Sequence, residues 1–200
     1  MEHKKVLITG NRNYGLCEAI CNLFDTVDSI DYSTASRSTG WNLDRNDEQE
    51  RLAQYFVNEE FNVFINNSAM WKFHQIMIAE TMYKTALEAK VKAQFIHMGS
   101  TADTGVKGRT WRYPTEKKAI RDYNRDLTYM TQGGSNIKTT CLSPGSLTTP
   151  SVMKKHPDRK LIDVEYIAEI ILWLLKQPEY VNINEISVDP IQLGAYARER

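Results

Sequence analysis

Apolar and polar positions alternate along this chain in two distinct periods. An apolar segment at residues 5–9 runs into a glycine-containing turn. Leu16, Ala19, Ile20, Leu23 and Phe24 then recur at the three-to-four spacing of a helix with one buried face. Further short apolar segments bounded by polar or turn residues fall at 28–35, 61–66, 93–98, 137–142 and 183–188 and predict strands. Helical patterns predicted at 47–58, 75–90, 112–132 and 163–176 lie among them. The last places Ile167, Ile170, Ile171, Leu174 and Leu175 on one face. Strand and helix alternate throughout, which predicts parallel strands joined by helical crossovers: an α/β chain with a Rossmann-like, doubly wound sheet covered on both faces.

One stretch breaks the rhythm. Ser36 to Asp44 leaves about nine residues, rich in Ser, Thr and Gly, where a parallel crossover needs about a dozen or more. The second crossover helix and the third strand are therefore expected to be shortened or missing. With 200 residues and no linker, repeat or low-complexity tract, residues 1–200 read as a single domain.

Charge narrows the partners. Acidic and basic side chains balance at 25 each, so no basic field favours nucleic acid or an anionic membrane. The start of the chain runs from two lysines directly into Val6-Leu7-Ile8, without the pattern of a signal peptide, and no segment has the ~18 apolar residues of a membrane span. Of three cysteines, Cys17 and Cys21 lie one helical turn apart and read as small buried side chains. The expectation is a cytoplasmic protein with a small-molecule partner and no metal site.

In an open parallel sheet, ligands bind beyond the carboxyl ends of the strands, and the first strand-to-helix turn commonly cradles a pyrophosphate. Here that turn reads Thr9-Gly10-Asn11-Arg12-Asn13-Tyr14-Gly15-Leu16-Cys17. Gly10 can make the sharp bend, Gly15 lets backbone approach phosphate oxygens, and the free N–H groups of the next helix supply the anion site. Arg37, just past the second strand, stands where it can chelate the 2′-phosphate of an adenosine ribose. Readers of NAD place a carboxylate there instead, and the only nearby acid, Asp31, comes too early in the strand. NADP(H) is thus expected over NAD(H), with Arg12 as a second phosphate ligand; the competing view leaves both arginines in solvent.

Tyr113 and Lys117 form Tyr-x-x-x-Lys, one face of a helix. A phenol with a reference pKa of about 10 is a poor acid/base near neutrality, and an adjacent ammonium favours its phenolate. Ser100, thirteen residues before the tyrosine, lies just beyond the 93–98 strand, where its hydroxyl can hold a substrate oxygen. Pro114 requires a helix start near residue 112, because proline cannot supply an interior N–H.

Four ordered segments together resemble the short-chain dehydrogenase/reductase family over nearly the whole chain, as a shortened member. They are Thr9-Gly10 to Gly15-Leu16; Asn66-Asn67-Ser68-Ala69; Ser100 with Tyr113 and Lys117; and Ser143-Pro144-Gly145 with Thr149. The resemblance implies an NADP(H)-dependent oxidoreductase moving a hydride between nicotinamide and a small carbonyl or hydroxyl substrate. Tyr113 would be the proton donor or acceptor, and Lys117 would lower its pKa and bind the nicotinamide ribose. Gly10, Asn11, Arg12, Tyr14, Gly15 and Leu16 would form the phosphate turn, and Arg37 would meet the 2′-phosphate. Leu43 and Asp44 would lie near adenine, Asn67, Ser68 and Ala69 on the adenosine side, and Pro144, Gly145, Leu147 and Thr149 near the nicotinamide. A homodimer or homotetramer is implied as well.

Departures are equally visible. The phosphate turn is one residue longer than the family pattern and has Cys17 in place of the third glycine. No asparagine occurs between Asn67 and Asn124, where the family keeps its proton-relay residue; the relay is absent or rebuilt, with His74 or Gln75 as candidate substitutes against the competing view that they are polar surface. This favours one alternative, an NADP-binding sensor with impaired turnover. A nucleotide-sugar epimerase or dehydratase is a further alternative, but about fifty residues after Pro150 leave no room for its substrate domain. The basic stretch 151–159 stands where the family has its substrate-covering loop; Lys154, Lys155, His156 and Arg159 suit an anionic substrate or simply solvent. Trp71, Phe73 and Trp111 are candidates for an apolar wall or a subunit contact.

Overall fold

A computed structural model of the chain describes residues 2–68, 71–104 and 112–191. Its six strands are β1 (Lys4–Thr9), β2 (Ile30–Ala35), β3 (Val63–Asn66), β4 (Ala93–Met98), β5 (Ile137–Pro144) and β6 (Glu185–Val188). All pair in parallel, in the order β2-β1-β3-β4-β5-β6. The helices are α1 (Gly15–Phe24), α2 (Asn46–Asn58), α3 (His74–Glu88), α4 (Tyr113–Gln132), α5 (Pro150–Lys155) and α6 (Val164–Leu175).

Alternation along each strand builds two cores. Val6 and Ile8 of β1 face α1 and α6 with Ile20, Phe24, Ile167 and Ile171. Leu7, one residue out of phase, faces α2, α3 and α4 with Leu52, Phe56, Met82 and Leu127. Phe56, Phe64 and Phe95 meet edge-on beneath α2, with centroids 5.5–6.2 Å apart. The sheet is covered on both faces, as its near-continuous apolar strands require.

Between β2 and α2 the chain makes only one turn of 3-10 helix, Arg37–Thr39, closed by Gly40 at φ 86°. Among the described residues no strand flanks β2 on its outer side, so β2 is the edge and the chain returns over the sheet to β3 beside β1. The missing crossover follows from the nine-residue length. Reversal of direction between β1 and β3 opens a crevice at their carboxyl ends.

α4 begins at Tyr113 with Pro114 in its first turn, where the missing N–H costs nothing. One element departs from expectation: residues 150–155, expected within a loop, form α5, started by Pro150 and capped by Thr149. No helix among the described residues is long and apolar enough to cross a membrane.

Candidate active site

Thr9 ends β1 and ties the two loops at the crevice together. Its hydroxyl accepts from the backbone N–H groups of Asn67 (2.9 Å) and Ser68 (3.1 Å). The chain then bends at Gly10, whose φ is 149°; a Cβ there would stand 2.8 Å from Asn67 Nδ2 and 3.0 Å from Cys17 Sγ. Only glycine fits. Gly15 opens α1 at φ 58° against the Thr149 methyl, which draws the phosphate turn to the end of β5. Tyr14 caps α1 without a side-chain hydrogen bond, so no side chain of the cap competes for the first N–H groups of this ten-residue helix.

These segments border a cleft of about 1340 Å³ that runs along the carboxyl ends of the strands. Gly10, Asn11, Tyr14, Gly15 and Leu16 line its middle. Asn67 and Ser68, past β3, line it beside them; Arg37, Leu43 and Asp44, past the edge strand β2, line one end, and Ser100, Tyr113, Lys117, Pro144, Gly145, Leu147 and Thr149 the other. Ala69 and Trp111 lie outside the described residues. Cleft size, the two left-handed glycines and the uncapped helix start fit a dinucleotide.

Arg12 is the exception among the turn residues. Its guanidinium turns to the back of α1, donating to Asn22 Oδ1 (3.0 Å) and Asp25 Oδ2 (2.7 Å) and lying over the Tyr32 ring. The expectation that it lines the phosphate site is corrected, because an acid within reach holds it elsewhere. Arg37 does reach the cleft, paired with Asp44 across its rim.

At the other end, Ser100 follows β4 and its hydroxyl stands beside the Tyr113 phenol. Burial raises the phenol's pKa, the Ser100 hydroxyl lowers it, and the Asp103 carboxylate raises it again. Lys117 was expected to lower the tyrosine pKa, and here the geometry differs. Its ammonium lies 5.6 Å from the centre of the tyrosine ring and donates instead to Gln75 Oε1 (2.8 Å) and Met98 O (2.7 Å). Burial depresses Lys117 to about 8, partly countered by Cys141, Glu116 and Asp103.

The segment before α3 is held with unusual torsions. Lys72 and Phe73 both adopt positive φ, 63° and 61°, and the Lys72 N–H donates to Glu116 Oε1 (2.9 Å) on α4. This carries Trp71 to the cleft, its ring 6.3 Å from that of Tyr113, whereas Phe73 does not line it. Of the two candidate substitutes for the relay asparagine, His74 is turned to Gln49 on α2 (3.2 Å), and Gln75 bonds Lys117. Lys155, His156 and Arg159 also border the cleft; Lys154 does not.

Sequence reasoning missed three groups. Asp103 forms an ion pair with Arg121 of α4 at 2.7 Å, and its side chain is almost wholly buried. Asp189, just past β6, accepts from the Thr101 hydroxyl at 2.7 Å, so the turn carrying Ser100 is clamped on two sides. Trp41, packed on Arg51 and Tyr55, lines the cleft beside Arg37. Their partners are distant in sequence, and no local pattern marks them.

No family model matches the chain. It is 32% identical over 114 residues to an uncharacterized oxidoreductase of Staphylococcus aureus (strain N315). That match covers 56% of this chain and 48% of the relative, about half of the relative's length. Among solved structures, the closed form of serine dehydrogenase complexed with NADP+ superimposes with a TM-score of 0.69 at 16% identity, covering 92% of this chain and 93% of that one. A 3-ketoacyl-(acyl-carrier-protein) reductase from Brucella melitensis complexed with NADH gives 0.73 at 13% identity, covering 94% and 96%. Other short-chain dehydrogenase/reductase structures match likewise. The fold is that of the short-chain dehydrogenases/reductases, in a shortened form.

Proposed function

We propose that this protein is an NADP(H)-dependent short-chain oxidoreductase acting on a small carbonyl or alcohol. The observation that carries the reading is the gathering of Ser100, Tyr113 and the buried Lys117, its ammonium 5.6 Å from the centre of the tyrosine ring, on the same cleft as the Gly10–Gly15 turn. A nicotinamide nucleotide, when bound, supplies or accepts the hydride. Ser100 holds the substrate oxygen, and Tyr113 donates its proton to that oxygen on reduction or takes it back on oxidation. Lys117, held as an ammonium by two neutral carbonyl acceptors, keeps positive charge next to the phenol as it loses its proton.

The choice of NADP(H) over NAD(H) rests on Arg37, which borders the cleft past β2 with its side chain largely exposed. A ligand 2′-phosphate would share or replace the Asp44 carboxylate as its partner. Titration of the purified protein with NADPH and NADH, followed by nucleotide fluorescence, tests this. Tighter NADPH binding supports the reading; binding of neither nucleotide would sink it. Turnover is then sought with small ketones, aldehydes and alcohols. The reading further includes a cytoplasmic homodimer or homotetramer, and a monomer in light scattering at micromolar concentration would remove the oligomer.

A further inference from the structure

Gln75 stands in the first turn of α3, between the diverging ends of β3 and β4, and is buried. Its amide is fixed in orientation by its neighbours. Nε2 donates to Asn66 O (3.0 Å) and Met98 O (2.9 Å), the last residues of those two strands. Both are carbonyls and can only accept, so the nitrogen must face them and Oε1 must face the other way. What Oε1 meets is Lys117 Nζ, at 2.8 Å. The backbone of Gln75 is anchored too, since Asn66 Nδ2 donates to its carbonyl at 2.9 Å.

An ammonium carries three donors. Two are taken by Gln75 Oε1 and Met98 O, which leaves one for whatever binds in the cleft that Lys117 borders. A lysine stem is flexible and would otherwise sample many rotamers, or sit neutral in its apolar surroundings. We propose that Gln75 is a positioning residue for Lys117, holding its Nζ in place and protonated through an amide oxygen whose direction β3 and β4 dictate. The inference rests on the oxidoreductase reading for its catalytic meaning, and on geometry alone for the lysine's state.

The titratable groups around Lys117 are Tyr113 and Glu116 on its own helix, Asp103 in the turn after Ser100, and Cys141 on β5. On α3, His74 is engaged with Gln49; from β4, His97 lies against Asn66. None of them supplies the neutral acceptor that Gln75 does.

The test follows the Lys117 ammonium by NMR in the full chain labelled with ¹³Cε,¹⁵Nζ-lysine, the resonance being assigned by its loss in Lys117→Arg. In the unaltered protein the ¹⁵Nζ protons are expected to exchange more slowly than those of surface lysines. Gln75→Glu places a carboxylate at the same position and is expected to raise the Lys117 midpoint by about one unit or more. Gln75→Met removes the acceptor and is expected to lower the midpoint by a comparable amount. Gln75→Asn keeps the amide but falls one methylene short; it guards against loss of fold and is expected to shift the midpoint down by less. A purely structural role predicts lower melting temperatures with an unmoved lysine titration, and that outcome in the folded variants overturns the proposal, as does surface-like exchange in the unaltered protein. Where turnover is found, the kcat–pH limb is expected to move with the NMR midpoint, and a limb that stays put severs the catalytic link. Shifted midpoints in a protein that binds no nucleotide would leave the positioning role standing and remove the proposed function instead.

Discussion

At the Tyr113 end of the cleft the charged group is withdrawn from water, Lys117 being 4% exposed, and is held by neutral oxygens whose own positions are set by strand ends. At the Arg37 end the charges meet in the open, with the side chains of Arg37 and Asp44 77% and 42% exposed. An exposed ion pair contributes about 0–1 kcal/mol and rearranges easily. A buried ammonium with fixed partners does not. One end is preorganised in a low-dielectric site, as the proposed chemistry requires, and the other can exchange its internal partner for a ligand at little cost. The same cleft therefore combines a rigid centre with an adaptable rim, and substitutions at the two ends should fail in different ways.

The sharpest break in that comparison is Tyr113→Phe. Removing the phenol's hydroxyl should leave the ring packed on Trp71 and the fold intact. Carbonyl reduction is expected to fall roughly 10³-fold, within the usual range for losing a general acid. NADPH titrations should superimpose on those of the unaltered protein. Retained turnover would mean that another group delivers the proton.

Lys117→Met separates rigidity from charge. Below about pH 8 the lysine is protonated in both folded and unfolded chains, so the folded state bears the full cost of a buried ammonium. Between about 8 and its ordinary 10.5, the folded chain has released a proton that the unfolded chain still binds, so stability rises with pH through this window. The shift corresponds to about 3 kcal/mol. Denaturant unfolding of the wild type should gain about that much on Lys117→Met between pH 8 and 11, a slope the variant lacks. Parallel pH dependences would show that Lys117 is not depressed as its burial demands.

Much of this architecture is legible in the sequence because it depends on periodicity. Val6 and Ile8 alternate with Leu7, and Ile167, Ile171 and Leu174 recur at helical spacing, so element type follows from the chain alone. The missing crossover is legible for a cruder reason, the shortness of Ser36 to Asp44. α5 escapes because six residues with two lysines carry no apolar stripe. In the site, Ser100 and Tyr113 are predictable neighbours, since one lies just past the end of β4 and the other opens α4. The Gln75–Lys117 contact is not, because the amide's direction is decided by carbonyls on two separate strands. Arg12 misleads for the same reason: its partner Asp25 lies more than three helical turns away along the chain, just past the end of α1.

Gly10→Ala probes the joint between the two ends. The added methyl would stand 2.8 Å from Asn67 Nδ2 on a backbone with φ of 149°. A cost of about 1–3 kcal/mol in stability is expected from the strained backbone. Chemical denaturation checks it, and nucleotide affinity should weaken for NADPH and NADH alike. An undiminished affinity would mean that the turn does not approach the phosphates.

Arg37→Ala should have the smallest and most selective effect, and it tests the adaptable rim directly. Its pairing with Asp44 is exposed, so losing it is expected to change stability by less than about 1 kcal/mol. On the proposed reading, removing the guanidinium deletes a charge-assisted contact to the 2′-phosphate and leaves Asp44 facing that group with no cation between them. NADPH affinity should fall about tenfold, equivalent to about 1.4 kcal/mol, with little change for NADH. Asp44→Asn gives the complementary result, because a guanidinium released from its internal partner is freer to meet the phosphate: NADPH should bind more tightly, and the NADPH/NADH ratio should rise. Equal losses for both nucleotides in Arg37→Ala would instead place Arg37 on a part of the ligand the two share, and the preference for NADPH would have to come from elsewhere along the cleft.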